Sequence, residues 1–211
     1  GEPLPDDRGF LIGAQVGLWN FARNGHLNLW IRYANGLAAF DELQQPTGLN
    51  KDRRSDGADE LRVALSGNAE RGRVGLMFGG YYRFFQDADP NEVDYDDGHE
   101  MAASMRPQLF LGQFTPALEA SIQLRRPNGL NPRTGRQEVA RVIQVAAMPA
   151  LTLSDAPGSY ARPQLRLIAA VNFMNQAALD QFPERDVRAS QATSYFVGAR
   201  AEWWFGRGGG Y

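Results

Sequence analysis

The sequence predicts an all-β protein, a transmembrane antiparallel β-barrel with about nine strands in its 211 residues. Three observations predict this fold: apolar and polar residues alternate, the alternating segments are long, and short connections alternate with long ones. Twenty-three glycines and an aromatic content of 11% also fit such strands, in which every second residue can be polar.

Alternation defines the strands in order along the chain. The clearest segments, in which every second residue is apolar or small, are 10–18, 27–33, 61–65, 74–84, 118–124, 165–173 and 197–205. Helical spacing fits none of them, because a helix repeats its apolar face every three to four residues. The predicted strands are 9–21, 26–40, 59–70, 73–87, 98–111, 116–126, 136–148, 161–175 and 192–205.

The lengths of the strands and of their connections indicate a membrane barrel. The predicted strands run to about 10 to 15 residues, against about five or six in most proteins and about 9 to 11 for the bilayer core. The connections are short or moderate at 22–25, 71–72, 112–115 and 152–160, and long and polar at 41–58, 88–97, 126–135 and 176–191. Short turns at one end and long loops at the other are typical of outer-membrane barrels.

The residues at the polar positions of the strands indicate an interior that is crowded with side chains. The single lysine, Lys51, lies in a predicted loop, and the polar strand positions hold mainly Arg, Gln, Asn, Ser and Gly. A soluble β-sandwich is the alternative fold, but it has no reason to segregate loop lengths by end.

Composition excludes several classes of function. Twenty-two basic and 24 acidic residues give a net charge of -2, so no basic field is available for nucleic acid. The absence of cysteine removes thiolate metal sites and cysteine nucleophiles. His26 and His99 lie far apart, and neither has a metal-ligand spacing to a second ligand. We therefore expect no catalytic residues, no metal and no cofactor, and the sequence does not predict an enzyme.

Nine strands cannot close an antiparallel barrel, because the first and the ninth run in the same direction. Bacterial single-chain barrels have even strand counts, and an open edge would expose unpaired backbone groups to lipid. The chain also begins abruptly and without a signal peptide. We expect residues 1–211 to be the C-terminal part of a single outer-membrane barrel domain.

The later strands combine an Arg-Pro pair, alternating Leu and Arg, and a closing strand rich in tryptophan. The stretches concerned are Met105–Gln108, Val142–Pro149, Ala161–Leu167 and Phe196–Phe205. In them the chain resembles the maltoporin family, well over residues 100–205 and more loosely over residues 9–40. The resemblance implies a barrel of about 18 strands, of which this chain would be half, and a homotrimer in the bacterial outer membrane. It also implies passive diffusion of maltose and maltodextrins.

In that family a track of lumen aromatics, the greasy slide, carries the apolar faces of the sugar rings. By resemblance, Trp204 takes the place of a slide tryptophan on the closing strand, and its phase, shared with Arg200 and Glu202, faces the lumen. Tyr160 falls where the family has another slide tryptophan. His26 falls near a slide phenylalanine and departs from the pattern.

Trp19 and Trp30 also have the lumen phase, so we count them among the candidate sugar-binding aromatics. Each assignment has a competing interpretation. Trp204 and Tyr160 could belong to an interfacial aromatic girdle, His26 could be a polar lumen or turn residue, and the other two tryptophans could fill space under a loop.

A polar track beside the slide would hydrogen-bond sugar hydroxyls. Its candidate residues are Arg166, Arg200, Glu202 and Arg106, which could equally be paired charges on a solvated wall. The leading hypothesis is therefore a passive sugar-selective channel. The alternatives are a general porin or scaffold barrel of the same fold, and a soluble β-sandwich that binds carbohydrate.

Overall fold

A computed structural model describes residues 6–22, 24–40, 46–89, 97–131, 133–154 and 157–203. In these ranges eleven strands form one antiparallel sheet. They are β1 Gly9–Trp19, β2 His26–Gly36, β3 Asp59–Arg71, β4 Val74–Gln86, β5 Gly98–Leu109, β6 Phe114–Thr115, β7 Leu118–Pro127, β8 Ala140–Ala147, β9 Ala150–Thr152, β10 Gln164–Met174 and β11 Thr193–Glu202. The predicted all-β antiparallel fold is confirmed.

The predicted strands 116–126 and 136–148 correspond to β7 and β8, and two short strands, β6 and β9, lie outside the predicted bounds. Pro116 separates β6 from β7, and Pro149 separates β8 from β9. Proline has no N–H to give to a sheet, so a ladder that meets it is interrupted. The Met148 N–H donates to the Ala117 carbonyl (2.8 Å) and the Leu167 N–H to the Pro149 carbonyl (3.0 Å), which keeps the chain beside the two prolines in line with its neighbours.

Consecutive long strands pair with one another in a simple meander. Within the described ranges β1 pairs only with β2, and β11 only with β10, so these two strands are the edges of the sheet. Because neighbouring strands run in opposite directions, the short connections lie at one end of the sheet, which we call the turn end. The long connections lie at the other end, the loop end. At the turn end Gly72, with φ of 60°, occupies the first position of the two-residue hairpin between β3 and β4.

The two faces of the sheet differ sharply in chemistry. One face, the apolar face, presents exposed aliphatic and aromatic side chains such as Leu29, Ile31, Leu165 and Leu167. The other, the polar face, carries ion pairs and amides. One face is thus apolar and exposed while the other carries the charges, the arrangement expected of a wall between lipid and a lumen.

In the ranges that the structure describes, helical structure is confined to the connections at the loop end. It comprises the 3₁₀ helices Leu37–Ala39 and Val187–Ser190 and one turn of α-helix, α1, over Gln176–Leu179. Among the described residues, no helix has the length and apolarity that a membrane span requires. The 3₁₀ helix at Leu37 folds back over the polar face, where Ala39 and Phe40 pack against Ala34 and Phe85.

Candidate functional site at the turn end of the polar face

Three aromatic rings stand in a row at the turn end. Trp19 ends β1, and His26 begins β2 directly opposite it in the register. The ring centroids of Trp19 and His26 are 6.1 Å apart, and those of His26 and Tyr160 are 5.8 Å apart. The structure thus brings together three of the five aromatic residues predicted from the sequence.

The row borders an open cavity of 440 Å³ on the polar face. Its lining residues are Trp19, Asn20, Asn24, Gly25, His26, Asn68, Glu70, Gly158, Ser159, Tyr160 and Ala161. Aromatic rings and amide and carboxylate groups therefore line the same cavity. A ligand with both apolar faces and hydroxyl groups could meet both kinds of surface.

Tyr160 reaches the row because the connection between β9 and β10 folds over the polar face. The Ser159 N–H donates to Glu70 Oε1 (2.7 Å), and Gln108 Nε2 donates to Ser159 Oγ (2.8 Å). These bonds tie the connection to β3 and to β5, and Gln108 and Ser159 are both buried. The connection is thus fixed at two points, which gives the Tyr160 ring a defined position.

A second set of bonds links the row to the same carboxylate. The His26 N–H donates to Asn68 Oδ1 (3.1 Å), and Asn68 Nδ2 donates to Glu70 Oε1 (3.4 Å). Burial and the nearby Glu70 carboxylate raise the pKa of Tyr160, so its hydroxyl remains a protonated donor at neutral pH.

The other two predicted aromatics lie elsewhere. Trp30 is on the polar face of β2, four residues from His26 and hence about 13 Å further along the strand. It is not part of the row. Trp204 lies outside the described residues. Its neighbour Trp203 has the apolar-face phase and is 53% exposed, as an interfacial aromatic would be.

The predicted polar track forms two groups near the turn end. Arg166 and Arg200 face each other across β10 and β11, and Glu202 lies two residues beyond Arg200 on the same face. Arg200 Nη2 is 3.6 Å from Glu202 Oε2. Arg106, on β5, instead donates through Nε to Glu119 Oε2 (2.8 Å) on β7.

Several polar residues of the site were not predicted from the sequence. They are Asn68, Glu70, Gln108, Glu119, Ser159 and Arg162, the last of which pairs with Glu202 at 3.0 Å. The strand phase of Glu70 or Glu119 shows which face it occupies. It does not show that a connection many residues away folds onto that face.

In the described ranges, no three His, Cys, Asp or Glu residues converge into a group that could hold a metal ion. In a comparison with protein families, residues 2–205 match the family described as LamB porin. No curated protein sequence matches the chain.

Proposed function

Because this chain belongs to the LamB porin family, we propose that it forms part of a passive outer-membrane channel for maltose and maltodextrin-like sugars. The observation that carries the proposal is the row of Trp19, His26 and Tyr160 beside the amide and carboxylate groups of Asn68 and Glu70. LamB porins are channels and not enzymes, and the proposed role needs no reaction.

Each ring of the row can offer one apolar face to a sugar, and neighbouring rings are tilted by 39° and 38°. A pyranose has faces of C–H groups and a rim of hydroxyls, so one face can lie on an aromatic ring while the rim meets polar groups. The row spans three consecutive rings at about 6 Å spacing, so a sugar can pass from one ring to the next without leaving the wall. Several weak stations allow flux, whereas one tight station would block exit.

The polar track lies further round the same face. Arg166, Arg200 and Glu202 sit on the last two strands, and Arg106 with Glu119 lies nearer the middle of the sheet. We assign them the hydroxyl contacts of a sugar that leaves or enters at the turn end. Trp204 and Trp30 remain proposed sugar contacts, the first from its phase on the closing strand and the second from its place on the polar face.

The apolar face would meet outer-membrane lipid or a neighbouring subunit of a homotrimer. Its exposed leucines and aromatics suit either surface. The edge strands β1 and β11 have no partner among the described strands beyond β2 and β10, which supports the proposal that this chain is part of a larger barrel.

One observation favours the second candidate, a general porin. His26 stands in the centre of the row and falls near a slide phenylalanine of the resembled family, and imidazole offers a smaller and more polar surface. A pore with weakened stations would conduct ions and small solutes with little preference for sugar.

Single-channel conductance of the full-length protein in a planar bilayer tests the proposal. Titration with maltotriose and longer maltodextrins should give saturable block of the ion current, while a non-binding polyol of similar size should not. Steady current at all sugar concentrations would favour the general porin. A protein that is soluble and monomeric without detergent, and that does not insert into the bilayer, would favour the carbohydrate-binding sandwich.

A further inference from the structure

A row of charged residues crosses the polar face on the loop side of Trp30. Arg32, Arg62, Arg83, Glu100 and Arg125 lie opposite one another in register on five adjacent strands, β2 to β5 and β7. We call these five residues the arginine row. Four of the five side chains are guanidinium groups, which donate hydrogen bonds and accept none.

The carboxylate of Glu60, two residues before Arg62 on β3, anchors three members of the row. Glu60 Oε2 accepts from Arg83 Nε (2.6 Å) and from Arg62 Nε (2.9 Å), while Oε1 accepts from Arg32 Nη2. Both oxygens of one carboxylate are thus bonded to guanidiniums from three different strands. Glu100 is held more loosely, at 3.7 Å from Arg83 and 3.6 Å from Arg125.

Glu60 is completely buried, whereas the arginines it holds are not. Its exposed fraction is 0%, against 34% for the Arg32 side chain and 32% for the Arg62 side chain. Ala34 and Phe85, its cross-strand neighbours, are buried beneath the 3₁₀ segment, where the rings of Phe40 and Phe85 pack edge to face at 5.4 Å. The Arg83 guanidinium lies over the Phe85 ring at 4.7 Å and its side chain is 15% exposed, so Arg32 and Arg62 are the more accessible members of the set.

A buried carboxylate of this kind is a costly way to stabilise a wall, since apolar residues of similar volume do so at least as well. What it provides is orientation. Arginine side chains are long and flexible and would otherwise sample many positions. A shared carboxylate restricts them, so that their planar guanidinium groups keep fixed orientations. Such groups match the oxygens of carboxylate, phosphate or sulfate groups in a bidentate manner.

We propose that Glu60 is the positioning residue of an anionic-oxygen site formed by Arg32, Arg62 and Arg83 at the loop side of the wall. The site takes solutes with a phosphate, carboxylate or sulfate group and is separate from the aromatic row at the turn end. The inference rests on the proposed pore, because the arginines must face a lumen, but not on the proposed preference for maltodextrins.

The test compares two charge-conserving variants of the full-length protein. Glu60→Asp keeps the negative charge but withdraws it by one methylene, so it cannot reach three guanidiniums. Glu100→Asp makes the same change on the loosely held carboxylate of the same row and is the matched control. Block of single-channel current is titrated with glucose 6-phosphate, with maltotriose measured in parallel.

Glucose 6-phosphate should block the wild type, and Glu60→Asp should weaken that block about tenfold while Glu100→Asp changes it less than twofold. Open conductance and maltotriose block should remain within twofold in both variants. Absence of phosphate block in the wild type, or equal effects of the two variants, would overturn the inference. If the wild type is blocked by glucose 6-phosphate but not by maltotriose, that result would instead count against the proposed function.

If Glu60→Asp does not yield folded, heat-modifiable protein, Arg32→Gln serves in its place. Its side chain is one-third exposed, so the wall should tolerate the change. We expect weaker block by glucose 6-phosphate and unchanged block by maltotriose. Unchanged block by both probes would refute the anionic-oxygen site.

Discussion

The carboxylate of Glu70 accepts a hydrogen bond from the backbone N–H of Ser159 at 2.7 Å, across 89 residues of sequence. This bond joins β3 to the connection between β9 and β10, and so fixes the residue that follows, Tyr160, beside His26. The aromatic row therefore depends on a polar contact as well as on its three rings.

Loss of that contact should loosen the connection without unfolding the sheet. Glu70→Ala removes a charged acceptor whose hydrogen bonds are worth about 1.5–3 kcal/mol, and it leaves the buried Ser159 N–H unpaired. We expect maltotriose block to weaken by about threefold to tenfold with unchanged open conductance. Glu100→Ala, which removes a carboxylate from the loop side of the same face, 3.6 Å from Arg125, is the matched control. Equal losses from both variants would show that removal of lumen charge alone explains the effect.

Gly75 makes room for the residues under the connection. A Cβ at this position would lie 2.6 Å from Phe110 Cζ and 3.2 Å from Ser159 Oγ. Gly75→Ala should therefore displace the buried Phe110 ring and cost about 1–3 kcal/mol of stability. The measurement is the temperature at which the folded band converts to the unfolded band on a gel, which should fall. Gly112→Ala, a glycine with open space around it but with φ of 64°, separates backbone strain from overpacking. A Gly75→Ala barrel as stable as wild type would contradict this packing.

Trp204 lies outside the described residues. In the sequence it follows Arg200 and Glu202 at alternate positions, so alternation predicts that it shares their polar face. We expect Trp204→Ala to weaken sugar block while leaving open conductance nearly unchanged, because a lumen aromatic contacts sugar and does not set the pore width alone. Trp203→Ala, on the apolar-face phase, should leave sugar block unchanged. An unaltered sugar affinity in Trp204→Ala would remove it from the proposed slide.

Asp186 caps the 3₁₀ helix Val187–Ser190 in a long connection. Hydrogen bonds from the Arg188 side chain and from its backbone N–H lower the pKa of Asp186 to about 2. The folded pKa lies below the unfolded value near 3.9, so the stabilisation of this segment is present above about pH 4 and is lost as the pH falls through about 2. The ¹³Cγ shift of Asp186 in detergent should titrate near pH 2, and at a higher pH in Arg188→Gln, which loses the side-chain bond but keeps the backbone one. A midpoint near 4 in the wild type would contradict the assigned pair.

The fold could be predicted because the alternation of apolar and polar residues reflects the different environments of the two faces of the sheet. Residues such as Leu165 and Leu167 face outward and Arg166 faces inward, and the same phase holds along nearly every strand. The short strands β6 and β9, which Pro116 and Pro149 separate from β7 and β8, were missed, because proline marks a possible interruption without showing that the chain pairs again on its other side.

The site was predictable only in part. Phase alone assigned Trp19 and Trp30 to the polar face, but the contact of His26 with Tyr160 depends on the path of a connection that has no period. The arginine row was missed for a related reason. Arg32, Arg62 and Arg83 each have the polar phase, yet only the register between strands shows that they are level and share Glu60.

The most direct test of the central claim is maltotriose block of single-channel current in wild type, Tyr160→Phe and Tyr160→Ala. If the aromatic row carries sugar, the phenylalanine variant keeps its ring and should bind within about twofold of wild type. The alanine variant loses a stacking surface worth about 0.5–1.5 kcal/mol beyond area burial, so its affinity should fall about threefold to tenfold at unchanged conductance. Equal block of all three proteins would contradict the claim that the row of Trp19, His26 and Tyr160 is a sugar path.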